Sequence, residues 1–191
     1  GDLPAEIVWS SHLEKDGCNA MEIKTKMHTG THIDAPFHMI NGAKKLHEIP
    51  VEKFAGRGVL IDARGRSTID AGLLENVELK KGDVVLILTG HSKKFREPDY
   101  FEKYPFITEN FADLLIAAEI NLVGVDTPSP DAQPYSIHKK LLGKEILILE
   151  NLANLEALVG LEYFTVFAFP PKVALDGSFV RVVAQFVGRE I

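Results

Sequence analysis

Residues 28–38 read His28-Thr29-Gly30-Thr31-His32-Ile33-Asp34-Ala35-Pro36-Phe37-His38, so three of the chain's seven histidines fall within one short segment. Imidazole and carboxylate groups are preferred ligands of zinc and neighbouring divalent metals. Extended backbone would hold His28 and His32 ~13 Å apart, too far for one ion, and this composition disfavours a helix. We therefore predict a tight loop in which Gly30 takes unusual backbone angles. The segment indicates a metal-binding or catalytic site; the alternative is a solvated loop.

The flanking sequence contains short apolar runs typical of strands. Residues 21–27 alternate apolar and polar side chains, which predicts a half-buried strand. Five further runs are rich in β-branched or aromatic residues and predict buried strands: 59–61, 84–88, 122–125, 146–149 and 164–169.

Helices are predicted between these strands. Thr108 is a suitable N-cap for a helix that begins at Glu109. Weaker candidates are residues 69–76, 135–142 and 151–158, and residues 172–175 and 179–187 could pair as a hairpin across Asp176-Gly177. Irregularly alternating strands and helices indicate a mixed α/β or α+β fold in a single domain, residues 1–191.

A second group of polar residues lies more than a hundred positions downstream. It comprises residues 126–131 (Asp-Thr-Pro-Ser-Pro-Asp), His138 and Glu150. Glu150 directly follows an apolar run, so its carboxylate is expected at the end of a buried strand. Considered without the first segment, His138 is interpreted as a helix-surface residue and Glu150 as a charge that opens the next helix. If residues 28–38 bind a metal ion, both His138 and Glu150 become candidate ligands of it.

Composition excludes several classes of protein. The 191 residues are 46% hydrophobic and 25% charged, with a net charge of −6, which is typical of a globular chain. Basic clusters never exceed two residues, so we expect neither a nucleic-acid nor a membrane partner. The single cysteine, Cys18, suits the cytoplasm. The chain begins Gly-Asp-Leu-Pro without Met, so we expect the native start to lie upstream.

Residues 28–38 match the pattern H-x-G-T-H-x-D-x-P-x-H, and on this basis the chain resembles the putative cyclase family, which includes bacterial-type kynurenine formamidases and isatin hydrolases. The resemblance continues through residues 42–57, 123–131 and 138–152, in the same order and spacing. It implies a three-layer β/β/α sandwich of the swivelling type, assembled as a homodimer or a larger homo-oligomer.

The resemblance also implies a complete site. His28, His32 and Asp34 would bind one divalent ion, and Asp34 would bridge to a second ion completed by His138 and Glu150. The ion would be zinc, with manganese as the alternative, at one or two per chain. His38 would be the general acid/base.

The implied reaction is hydrolysis of a small linear amide by metal-activated water, most simply N-formylkynurenine to kynurenine and formate. Alternatives are a cyclic-amide hydrolase of the isatin hydrolase type and a non-catalytic metal-binding homologue. In kynurenine formamidases an aromatic residue before a Pro-Gly-Asp segment helps to hold the substrate. Gly1-Asp2 matches the end of that segment, so this residue is expected upstream of the chain, and Trp9 does not occupy its position.

Overall fold

A computed structural model describes residues 4–186 and is built around one eight-stranded mixed sheet. Across the sheet the strands run in the order β11, β3, β9, β8, β6, β4, β10, β12. The strand bounds are β1 Glu6–Ser11, β2 Ala20–Lys24, β3 His32–Asp34, β4 Ala55–Asp62, β5 Thr68–Ile69, β6 Val84–Leu88, β7 Phe106–Ile107, β8 Leu122–Val125, β9 Leu147–Glu150, β10 Thr165–Phe167, β11 Gly177–Phe179 and β12 Val183–Gln185.

The centre of the sheet is parallel and its two flanks are antiparallel. Strands β4, β6, β8 and β9 pair in parallel, which requires crossover connections between them. Strands β3 and β11 extend one flank in antiparallel fashion, and β10 and β12 extend the other. The carboxyl ends of the neighbouring strands β8 and β9 therefore lie side by side, and sites in such folds are commonly placed at these strand ends.

The crossovers contain the longer helices of the described chain. They are α2 (Glu109–Ala117) and α3 (Ser136–Leu142), while α1 (Leu13–Asp16) is a single turn. Thr108 caps α2 as predicted, because its Oγ1 accepts a hydrogen bond from the backbone N–H of Phe111. Both α2 and α3 lie over the same face of the sheet. Short 3₁₀ turns lie at Pro36–His38, Leu46–Glu48, Val51–Phe54, Ala71–Leu74, His91–Lys94 and Leu155–Leu158.

Alternation along β6 divides the interior into two cores. Leu86 and Leu88 point into one core, while Val85 and Ile87 point into the other, which also contains the apolar faces of α2 and α3. The first core also takes residues from β3 and β10, near the two opposite edges of the sheet. The sheet thus curls around this core and the helices cover its outer face, which confirms the mixed α/β class and the β/β/α layering.

Some local predictions were wrong. Strand β2 (Ala20–Lys24) overlaps the predicted strand 21–27, but it is exposed, because β1 and β2 make a separate two-stranded hairpin that is not part of the main sheet. The helix candidate 69–76 forms only the end of β5 and a 3₁₀ turn, and 151–158 forms only a 3₁₀ turn.

The hairpin across Asp176-Gly177 does not form among the described residues. Strand β11 pairs with β3, and β12 pairs with β10, because the curled sheet offers each a longer-range partner; residue 187 lies outside the described chain. No helix within residues 4–186 is long and apolar enough to span a membrane.

Candidate metal centre

Strand β3 sends two predicted ligands into the same side of the sheet. His32 and Asp34 are two positions apart, so their side chains share a face, and Ile33 between them points into the opposite core. Both polar side chains are buried. Because burying unpaired polar groups is costly, this short strand needs partners on its polar side.

Strand pairing supplies the next carboxylate. The register of β3 against β9 sets Glu150 directly opposite His32. Glu150 Oε2 lies 3.1 Å from His32 Nε2, and Glu150 Oε1 lies 3.1 Å from His138 Nε2. Glu150 therefore joins a histidine from β3 to one from the helical layer, and its position at the end of a buried strand is as predicted.

Helix α3 brings in His138, which is buried rather than on the helix surface. Asp131, in the loop before the helix, accepts hydrogen bonds from the backbone N–H of Ile137 and, at 2.5 Å, from His138 Nδ1. Asp131 thus fixes both the start of the helix and the orientation of the imidazole. His138 Nε2 points inward, 3.7 Å from Asp34 Oδ2.

Two half-buried imidazoles complete the cluster, His28 from the loop before β3 and His38 from the 3₁₀ turn after it. His28 Nδ1 lies 2.7 Å from Asp34 Oδ1, and the centroid of the His28 ring lies 3.9 Å from that of the tilted His38 ring. Gly30 takes a φ of +65°, a left-handed conformation that agrees with the unusual backbone angles predicted for it. The Gly30 carbonyl then accepts a hydrogen bond from His32 Nδ1 at 2.8 Å.

The charged groups of the cluster shift one another's pKa values. Burial lowers the pKa of His28 and of His138, but neighbouring carboxylates outweigh it and raise these pKa values to about 9 and about 10. Burial raises the pKa of Asp34, yet the surrounding histidines bring it below its usual range. Burial, together with the positive charge of His28 and His138, lowers the pKa of His38. Carboxylates that attract protons so strongly also attract a divalent cation.

The donor atoms fit a metal ion. His32 Nδ1 donates to a carbonyl, so Nε2 of the neutral ring carries a lone pair, which faces carboxylate oxygens at 3.1 Å and 3.4 Å. Within residues 4–186, His32 Nε2 and Asp34 Oδ2 are buried without a hydrogen-bond partner. Lone pairs facing one another need a proton or a cation between them, and this N/O set is one that zinc and manganese accept.

A cavity of about 800 Å³ opens above the cluster. His32, His138 and Glu150 lie on its floor, and Phe101, Tyr104 and Tyr135 contribute aromatic walls. Burial, with the charge of Glu150, raises the pKa of Tyr104 to about 12, so its hydroxyl stays protonated at neutral pH. The cavity is wide enough for an aryl compound and carries polar groups at its base.

The structure thus brings all six predicted residues together, although they come from three separate parts of the chain. Two further carboxylates were missed. Asp131 belongs to the second polar group but has no role assigned from the sequence, and Asp176, interpreted above as a turn residue, lies 2.9 Å from His28 Nε2. The aromatic walls Phe101, Tyr104 and Tyr135 were also not predicted, and Trp9 lies exposed on the β1–β2 hairpin.

The comparisons with known proteins agree with one another. Residues 3–132 match the family model described as Putative cyclase. The chain is 34% identical over 192 aligned residues to a kynurenine formamidase of Bacillus cereus, an alignment that covers 97% of this chain and 89% of the relative.

Solved structures of similar proteins share the fold. Isatin hydrolase A from Labrenzia aggregata superposes with a TM-score of 0.85 at 28% identity, covering 96% of this chain and 84% of that one. A predicted metal-dependent hydrolase from Bacillus stearothermophilus superposes with a TM-score of 0.72 at 26% identity, covering 93% and 85%. The similar proteins are therefore hydrolases, and one is described as dependent on a metal.

Proposed function

Since the chain belongs to the putative cyclase family and is a hydrolase of that family, we propose that it cleaves the C–N bond of an N-formyl arylamine, with N-formylkynurenine as the leading substrate. The observation that carries the proposal is the buried cluster of imidazole lone pairs and carboxylates at the floor of an aromatic-walled cavity. A formyl group at the floor would leave the aryl group against the walls.

We assign the ligands as follows. His28, His32 and Asp34 would hold one divalent ion, because their donor atoms lie close enough together to share it. His138 and Glu150, with Asp34, would hold a second ion; the support is the approach of His138 Nε2 to an oxygen of each carboxylate. One or two ions per chain would then be bound.

A bound divalent ion would supply Lewis-acid chemistry, polarising a carbonyl and lowering the pKa of a water molecule. His38 moves the protons. Its Nδ1 lies 3.5 Å from Asp176, so we assign proton transfer to Nε2: it accepts a proton from the attacking water and returns one to the leaving nitrogen. The C–N bond breaks, a C–O bond forms, and the products are an arylamine and formate.

The walls of the cavity would position the substrate. Phe101 and Tyr104 offer aromatic surface to an aryl ring. The Tyr104 hydroxyl, which stays protonated, is available as a hydrogen-bond donor. Lys26 at the cavity rim is available to an anionic substituent.

The direct test is hydrolysis by protein loaded with Zn²⁺ or Mn²⁺. We expect turnover of N-formylkynurenine, measured as release of the arylamine, and loss of turnover in His38→Ala. The matched control is His47→Ala, which alters an exposed histidine outside the cluster. Metal-loaded protein that turns over neither N-formylkynurenine nor a simple formanilide would contradict the proposal and favour a non-catalytic metal-binding protein.

A second candidate is opening of a cyclic aryl amide such as isatin. It is favoured by the superposition on isatin hydrolase A with a TM-score of 0.85. The same cluster could serve both reactions, because each adds water to a carbonyl bonded to an aryl nitrogen. A kcat/KM for isatin above that for N-formylkynurenine would reverse the assignment.

Assembly, location and domain structure form a further part of the proposal. We propose a homodimer or larger homo-oligomer, supported by the outer face of the β1–β2 hairpin, where Ile7, Trp9, Met21 and Ile23 are each more than half exposed. The free, exposed Cys18 suits a cytoplasmic protein. We treat residues 1–191 as one domain.

A further inference from the structure

The imidazoles around the cluster share a pattern of outer hydrogen bonds. His32 Nδ1 donates to the Gly30 carbonyl at 2.8 Å, and His138 Nδ1 donates to Asp131 at 2.5 Å. Each bond fixes the tautomer and turns the other nitrogen, Nε2, toward the centre. A ring N–H held by an acceptor outside the metal site is the usual way in which proteins orient ligating histidines.

His28 follows the pattern with its nitrogens exchanged. Its Nδ1 faces inward, 2.7 Å from Asp34 Oδ1, and its Nε2 faces outward, 2.9 Å from Asp176 Oδ2. Asp176 is therefore the outer acceptor for this third imidazole. It comes from a part of the chain more than a hundred residues away.

The position of Asp176 is set by the edge of the sheet. Its backbone carbonyl accepts a hydrogen bond from Ala35 N–H at 2.9 Å, and the next residue, Gly177, pairs with Asp34. A Cβ at Gly177 would lie 2.7 Å from Cε1 of His28 and 2.9 Å from the Ile33 carbonyl oxygen, so only glycine admits the ring this close. The chain around Asp176 thus packs directly on His28.

We propose that Asp176 is a positioning residue that holds the Nε2–H of His28, so that His28 presents Nδ1 to a divalent ion. This inference rests on the proposed metal centre. Asp176 does not bind the ion itself, although its carboxylate, His28 and His38 lie close enough together to form a ligand group. Its Oδ2 is 2.9 Å from His28 Nε2 but 3.5 Å from His38 Nδ1, so the shorter bond is to the ring that Asp34 holds from the other side.

The test compares metal binding in four proteins by competition with a chromophoric chelator, using Co²⁺ and Zn²⁺. They are the wild type, Asp176→Ala, Asp176→Asn and the control Asp62→Ala, which removes an exposed carboxylate bonded to Arg64. Asp176→Ala should bind metal ~10–100-fold more weakly. Asp176→Asn should recover part of this loss, because its amide oxygen can still accept from His28. Asp62→Ala should match the wild type.

Two further measurements separate positioning from ligation. At saturating metal, Asp176→Ala should bind as many equivalents as the wild type. In the zinc-loaded wild type, nitrogen NMR of labelled histidine should show His28 protonated at Nε2. In Asp176→Ala the Nε2 proton should exchange faster with water. Thermal unfolding of the metal-free proteins checks that each variant is folded.

Three results would overturn the inference: Asp176→Ala affinity within twofold of the wild type, one equivalent fewer at saturation, or His28 protonated at Nδ1. All readouts follow metal and none needs a substrate. A wild type that binds metal as expected but hydrolyses no amide would therefore refute the proposed function while leaving the role of Asp176 standing.

Discussion

The two sides of the cluster are built in different ways. The motif side, residues 28–38, supplies four functional groups from one loop, one short strand and the 3₁₀ turn after it. Its outer support, Asp176, has a side chain 38% exposed. The helix side consists of Asp131 from a loop, His138 from α3 and Glu150 from β9, and the side chain of Asp131 is only 7% exposed. The compact motif is therefore supported by a solvent-exposed carboxylate, Asp176, whereas the dispersed helix side is supported by a buried carboxylate, Asp131.

This difference predicts unequal tolerance to substitution. Asp131 accepts from both the His138 ring and the backbone of α3, so each carboxylate oxygen is committed. Asp176 uses one oxygen for His28 and is open to water. Buried, fully used acceptors are costly to replace, whereas an exposed group can rotate or recruit water.

The largest effect is expected for Asp34→Asn, because Asp34 is the ligand that we assign to both ion positions. Removing its charge should weaken metal binding at both ion positions. The loss of metal affinity should exceed the ~10–100-fold loss that is typical when a residue that only orients a ligand is replaced. His138→Ala should weaken mainly one position. Metal content after dialysis, measured for both variants, checks this; equal loss in the two would indicate a single-ion site.

His38→Ala should reduce the rate ~10²–10⁴-fold, the usual contribution of a general acid/base. Metal content should stay near that of the wild type, because the five ligands remain. His38→Gln should not restore turnover, since an amide cannot transfer the proton. Steady-state kinetics and elemental analysis on the same samples test this assignment. Loss of metal in His38→Ala would show that His38 is a ligand.

The difference between the two sides is tested by comparing the metal affinity and thermal stability of Asp131→Asn with those of Asp176→Asn. In Asp131→Asn the amide NH₂ must face either the His138 Nδ1–H or the Ile137 N–H, whichever way it is turned. Metal affinity should fall ~10–100-fold and thermal stability should drop. Asp176→Asn can turn its NH₂ to water and should lose less. A larger loss of metal affinity in Asp176→Asn than in Asp131→Asn would contradict the prediction that the buried carboxylate is the less tolerant of the two.

The sequence predicts the motif side well for a physical reason. Residues 28–38 bring their ligands together through local geometry alone, a turn at Gly30 and alternation along β3, so pattern and chemistry coincide. Apolar runs likewise predicted the central strands, whose burial on both faces makes them continuous and hydrophobic. His138 and Glu150 stand out in the sequence only as a distant polar group, and their assignment to a second ion came from the family resemblance.

Features that depend on pairing between distant segments could not be predicted in this way. Asp176-Gly177 has the composition of a hairpin turn, yet β11 pairs with β3 and carries Asp176 to His28. The strand over 21–27 alternates as a half-buried strand would, but its apolar side chains are exposed because the hairpin is separate from the sheet. Local composition does not encode which edge a strand joins.

The most direct test of the central claim is metal reconstitution. Wild-type protein freed of metal by chelation is titrated with Zn²⁺ or Mn²⁺, and bound metal and hydrolysis of N-formylkynurenine are measured in the same samples. We predict that chelation abolishes activity and that activity returns in proportion to bound metal, up to one or two ions per chain, while Asp34→Asn stays inactive. Full activity in the metal-free protein, or well under one ion bound at saturation, would contradict the account.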